Sequence, residues 1–172
     1  MKPLEINPAE YNPYYKVYLD LVDNIELVEA LQKGLDVTVA FFENLPKEKW
    51  EYRYDLGKWT PKDILLHIID TERVFCYRAL YFARSNNADL KGFDENIFAA
   101  DANANARTKN SLIEEYKAVR ATSILLFNNF DTTVMLRKGT ADGSLMSVRA
   151  AGYILCGHEI HHCSVIKERY LK

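Results

Sequence analysis

The sequence predicts an all-α fold, a four-helix bundle with long crossover loops, and three observations carry that prediction. Four segments space their apolar residues at i, i+3 and i+4, the signature of one helical face. Two of them open on helix-start signals, Thr60-Pro61-Lys62-Asp63 and Ser111-Leu112-Ile113-Glu114. No segment sustains the period-2 alternation of a major strand. A chain of 172 residues suits one continuous hydrophobic core, so 1–172 reads as a single domain.

Residues 1–20 are rich in Pro and Tyr (Pro3, Pro8, Pro13, Tyr11, Tyr14, Tyr15). They predict an extended arm laid over the domain, its rings supplying buried area without regular structure. The first helix covers 21–44, with Ile25, Val28, Leu31, Leu35, Val39 and Phe42 on one face, and Pro46 stops it. Trp50 and Trp59 bracket the following loop as anchors beneath it. The second helix starts at the Thr60 cap and runs to about Arg84 through Ile64, Ile68, Val74, Phe75 and Tyr81. The Ser111 capping box opens a third, which continues to about Phe130 through Tyr116, Val119, Leu126 and Phe127. The fourth follows Ser147 and ends near Arg169. Residues 85–110 and 131–147 form long connections, and long connections permit parallel neighbours. The Asp142-Gly143 turn in the second suits a small hairpin.

Composition narrows the function classes. Apolar residues make up 48% and charged residues 27%, a globular balance that argues against disorder. The formal charge is −2, and Lys and Arg never cluster beyond the pair Arg137-Lys138, so a nucleic-acid partner is not expected. No stretch reaches the ~18–20 apolar residues of a membrane span, and the first ten residues lack a signal-peptide pattern. Three cysteines (Cys76, Cys156, Cys163) make an odd set, which fits reduced thiols in the cytoplasm better than a disulfide framework. Cys156 and Cys163 flank the histidine cluster at offsets that point away from it, so they read as packing residues.

Three of the four histidines fall within His158-Glu159-Ile160-His161-His162. His158 and His162 are four apart and stack on one helical face. Val148, Ala151, Leu155, His158, His162 and Val165 form one stripe, so both imidazoles interrupt a core-facing apolar row. His161 is rotated toward the edge of that face. On the second helix His67 likewise interrupts a stripe, beside Ile64, Asp70, Thr71 and Val74. Buried imidazoles need partners for their nitrogens, and one divalent metal ion shared by His67, His158 and His162 would satisfy all three. Binding requires neutral rings, so affinity is expected to fall as pH drops toward ~6. His158-Glu159-x-x-His162 also spells the zinc-protease motif H-E-x-x-H. The extended motif asks for Gly and His where Val165 and Glu168 stand, and too little chain follows for a distant third ligand. Peptidase activity is therefore not expected.

On these residues the sequence resembles the DinB-like/YfiT superfamily of metal-binding four-helix bundles. The matching pieces are Trp59-Thr60-Pro61-Lys62-Asp63-Ile64-Leu65-Leu66-His67, Asp70-Thr71-Glu72, Arg78-Ala79-Leu80, Gly92-Phe93-Asp94-Glu95 and Gly157-His158-Glu159-Ile160-His161-His162. The resemblance implies an up-down-down-up bundle with zinc or nickel on the three histidines, and a homodimer. It also implies transfer of a low-molecular-weight thiol such as bacillithiol or mycothiol to a small electrophile, while other members are grouped as metal-dependent hydrolases. Where many relatives read Arg-Gly-Gln after the paired histidines, this chain has Cys163-Ser164-Val165.

Three functions follow as expectations. Three protein ligands leave an open metal position, which suits a thiol transferase, with Tyr77, Arg149 and Tyr153 as candidates to hold an acidic thiol or substrate. A hydrolase would need a base, and Asp70, Asp63 and Glu72 lie on or near the His67 face, Asp70 and Glu72 being candidates to orient the ligands. The third expectation is a bundle whose metal only stabilises the fold.

Overall fold

The computed structural model describes residues 2–172. The helices are α1 (Lys16–Leu19), α2 (Leu27–Glu43), α3 (Pro61–Arg84), α4 (Glu95–Asp101), α5 (Lys109–Asn128), α6 (Thr132–Met135) and α7 (Val148–Arg169). The strands are β1 (Asp89–Leu90), β2 (Lys138–Ala141) and β3 (Ser144–Ser147). Helices α2, α3, α5 and α7 form the bundle.

Two clusters of buried side chains show how they run. One joins the start of α2 (Leu27, Leu31), the end of α3 (Ala79, Phe82), the end of α5 (Phe127) and the start of α7 (Val148, Ala151). The other joins the opposite ends, with Phe42 of α2, Ile64 and Leu65 of α3, Leu112 of α5, and Ile166 of α7. Helices α2 and α7 therefore point one way and α3 and α5 the other, an up-down-down-up order. The long connection from α3 to α5 makes the parallel step possible.

Local signals explain most boundaries. Thr60 Oγ1 accepts from Asp63 N (3.1 Å) while the Asp63 carboxylate accepts from Thr60 N (2.8 Å), closing a reciprocal cap on α3. Helix α5 starts three residues earlier than its Ser111 box suggests. Thr108 is the cap, its hydroxyl accepting from Ser111 N at 3.2 Å. Asp142 and Gly143 both have positive φ, 54° and 67°, and close the β2–β3 hairpin. β1 adds to β2 in parallel, pairing Asp89 with Thr140, which the sequence did not announce.

Where the two clusters meet, Arg120 is fully buried between two glutamates. It donates from Nε and Nη2 to Glu72 (2.7 and 2.8 Å) and from Nη1 and Nη2 to Glu159 (3.0 and 2.8 Å). Nη1 also donates to the Leu31 carbonyl, and Tyr116 donates to Glu159 Oε2 at 2.5 Å, so all four bundle helices meet here. A Cβ on Gly34 would lie 1.9 Å from Glu159 Oε1, so only glycine admits the carboxylate.

The arm is more regular than its composition suggests. Pro3–Glu5, Pro8–Glu10 and Pro13–Tyr15 each wind one 3-10 turn. Asn7 and Asn12 cap the second and third, accepting from Ala9 N and Tyr14 N at 2.9 Å each. A buried ion pair fastens the arm to α7, Arg149 donating from Nε and Nη2 to Glu10 at 2.8 and 2.6 Å. Burial would raise the Glu10 pKa, but the bonds from Arg149 and Asn7 N outweigh it and bring it to about 2.

Candidate metal centre

Helix α3 delivers His67 and α7 delivers His158 and His162 to one point between them. The Nε2 atom of His158 lies 3.0 Å from Nε2 of His67 and 3.0 Å from Nε2 of His162. All three ligand atoms fall within 4.8 Å of one another. His158 is buried, and His67 and His162 are half-buried.

The chemistry of this donor set suits a cation. A neutral Nε2 carries one proton or one lone pair in the ring plane, so the His158 nitrogen cannot make two well-directed hydrogen bonds at once. Three lone pairs facing one ion remove that conflict. Nitrogens each ~2.0–2.1 Å from one ion are about 3.0 Å apart at a right angle and ~3.4 Å at the tetrahedral angle, and the 3.0 Å spacings fit. Burial lowers the His67 pKa to about 4 and the His162 pKa to about 3, the latter helped by the neighbouring His67 and His161. Burial, then the charges of His162, His67 and His161, push His158 well below its usual value. All three rings are therefore neutral well below pH 6. The expected loss of ligation near pH 6 moves down toward pH 4.

Around the histidines lies a cavity of about 270 Å³. Its walls are aromatic: Tyr14, Tyr15, Tyr18, Trp59, Phe75 and Phe93. Tyr18 meets the edge of His158 at 5.5 Å between ring centroids, and Trp59 lies 4.7 Å from His67. The arm that carries the three tyrosines approaches closely because residue 157 is glycine. A Cβ there would stand 1.9 Å from the Tyr18 carbonyl oxygen. Glu95, at the first turn of α4, is the one carboxylate lining the cavity, and no Lys or Arg lines it among the described residues.

The remaining sequence candidates sit elsewhere. Asp70 pairs with Arg73 at 3.2 Å and Glu72 is held by Arg120, so neither bonds a histidine. Thr71 is the neighbour that does approach one, its Oγ1 3.5 Å from His67 Nδ1. Asp63 serves the α3 cap. Tyr77 is exposed on α3, Tyr153 donates to the Ile25 carbonyl at 2.9 Å, and Arg149 holds Glu10, so none of these three lines the cavity. Glu159 turns from the histidines into the Arg120 network, away from any general-base role. His161 stays outside the triad, its ring 5.5 Å from Tyr18. Cys156 and Cys163 are buried and unbridged, and Cys76 donates to Ser123 Oγ at 3.2 Å. Sequence reasoning missed the Tyr14, Tyr15 and Tyr18 wall and Glu95. The Asn-Pro pairs before the second and third turns of the arm were the signal that its rings are fixed in place.

The chain is similar in structure to YfiT from Bacillus subtilis, described as a probable metal-dependent hydrolase with an unusual four-helix bundle topology. The match has a TM-score of 0.74 at 13% identity, over 83% of this chain and 82% of that one, and shows a shared fold. No curated protein sequence matches the chain. A sequence model of the DinB superfamily matches residues 30–166, a span that includes all three histidines, and on that match the chain belongs to the DinB superfamily.

Proposed function

We propose that the protein is a metal-dependent hydrolase whose single divalent ion is held by His67, His158 and His162. The observation that carries this reading is the His158 nitrogen, 3.0 Å from two others and unable to satisfy both by hydrogen bonding. An all-imidazole set suits zinc or nickel. When bound, the ion would act as a Lewis acid, polarising a substrate oxygen and lowering the pKa of water at its open position.

The protein's own groups do the rest. Thr71 restrains the His67 ring through Nδ1, and Trp59 and Tyr18 pack against ligand rings and exclude bulk water. Glu95 is the carboxylate that lines the cavity and the group there able to take a proton from an attacking water. Transfer of a low-molecular-weight thiol, the other reading, requires an anchor for an acidic cofactor, and apart from the ion the cavity lining supplies no Lys or Arg among the described residues.

Metal analysis of untagged protein, with His158→Ala beside it, tests the ion. One equivalent of zinc or nickel in the wild type and a loss in the variant are expected. An ester and amide panel with zinc, nickel or manganese tests the reaction. Silence across that panel, with metal-dependent conjugation of a bacterial thiol to monochlorobimane, would replace hydrolysis by thiol transfer. Sedimentation of the same samples tests the homodimer.

A further inference from the structure

The lining of the histidine cavity also speaks to what enters it, an inference that rests on this cavity being the substrate site. The geometry points to a small ester or amide that bears, on the part lying against the wall and away from the ion, an aromatic or alkyl group and a positive charge. Three features carry this. Six aromatic residues line the wall, and an aromatic face attracts cations. The one charged side chain on the lining is the Glu95 carboxylate, exposed on α4. No guanidinium or ammonium lines the cavity among the described residues, so away from the ion a carboxylate or phosphate on the substrate would find no cationic side chain and would face Glu95.

Arg78 already lies over two of these rings. It is buried, with its guanidinium 4.9 Å from the Phe75 ring and 5.7 Å from the Phe93 ring, and it lies outside the cavity lining. The three tyrosine rings, which Arg78 does not cover, and Glu95 remain for the substrate's charge. At about 270 Å³ the space is below the usual ~300–1,000 Å³ of ligand pockets, which limits the substrate to a small molecule.

Three isosteric probes test the charge preference without any turnover: phenyltrimethylammonium, tert-butylbenzene and benzenesulfonate. Their binding is read by tryptophan fluorescence, since Trp59 lies in the wall, first on metal-free protein and then with zinc added. On metal-free protein the cation is expected to bind roughly three- to tenfold tighter than the neutral probe, with the sulfonate weakest. In Glu95→Gln the ratio of cation to neutral affinity should fall toward one. Glu95 is exposed, so this variant should keep its fold, and its melting curve checks that. Binding of the sulfonate as tightly as the cation, or an unchanged ratio in Glu95→Gln, overturns the inference. Metal content and ester turnover are separate readouts, so the hydrolase reading can fail while the charge preference stands, and the reverse.

Discussion

Removing the shared histidine should uncouple the fold from metal. In the wild type, an ion that binds the folded chain and not the unfolded one stabilises it by RT ln(1 + [M]/Kd), about 2.7 kcal/mol at 100 Kd. With an unfolding entropy of ~2.1 cal/mol/K per residue over 172 residues, that corresponds to about 7 °C in melting temperature. His158 is the nitrogen in contact with both partners, so His158→Ala leaves two ligands that belong to different helices, His67 on α3 and His162 on α7. His161→Ala is the control, one residue from a ligand yet outside the triad. Melting by intrinsic fluorescence is measured with zinc and with chelator for each protein. The wild type and His161→Ala should each shift by several degrees, and His158→Ala should show almost none. An unshifted wild type, or an equal shift in His158→Ala, would refute the three-histidine centre.

Acid should weaken the metal-free protein first. The folded pKa values of His67 and His162, about 4 and 3, lie below the unfolded value near 6.5, so between those limits the unfolded chain binds more protons. Stability is then unaffected above pH 6.5 and falls as pH drops from there toward 4. Zinc should delay that fall, and superimposable melting-against-pH curves with and without zinc would contradict it. Arg120→Met leaves the buried carboxylates of Glu72 and Glu159 facing each other unpaired, at a cost of roughly 3–5 kcal/mol, read by chemical denaturation. A loss below ~1 kcal/mol would show that the network relaxes or holds a proton instead. Gly157→Ala puts a methyl against the Tyr18 carbonyl and should lift the arm from the histidines. Faster proteolysis near residues 14–20 and weaker binding of phenyltrimethylammonium are expected, and wild-type behaviour in both would show that the arm is not seated through Gly157.

The bundle was legible because local and global demands agree in its helices. The reciprocal cap at Thr60 and Asp63 starts α3 where the chain spells it, and the apolar stripes of α2 and α7 face the cores they suggest. The histidine stripe positions were legible for the same reason, since two polar rings four apart on an apolar face must meet something. The start of α5 was misread because Thr108 and Ser111 compete as caps and nothing local ranks them. The partners of charged residues were not legible at all. Glu10 meets Arg149 across 139 positions, and Arg120 reaches Glu72 and Glu159 from 48 and 39 positions away. Such pairs are set by which helices neighbour one another, a property no local pattern carries. That is why Arg149 could be taken for a substrate anchor and Glu72 for a partner of the histidines.

Helix α7 shows why the literal H-E-x-x-H string misleads. In an α-helix, consecutive residues point about 100° apart, an offset every helical H-E-x-x-H shares, so what surrounds Glu159 decides its role. In a zinc protease the glutamate must reach the water beside the metal. Here Gly34 clears space on the other side, and Arg120, Tyr116 and Thr38 donate to the carboxylate. The same turn of helix thus serves two separate ends. One face presents neutral rings to a cavity, and the other buries an acid in the ion network that joins all four helices. Because that network fixes the rotation of α7 about its axis, it also fixes where His158 and His162 point. A variant that keeps the charges but shortens one arm, Glu159→Asp, should therefore weaken zinc binding more than its distance from the metal suggests, whereas Asp70→Asn, closer in sequence to His67 but bonded only to Arg73, should leave zinc affinity unchanged.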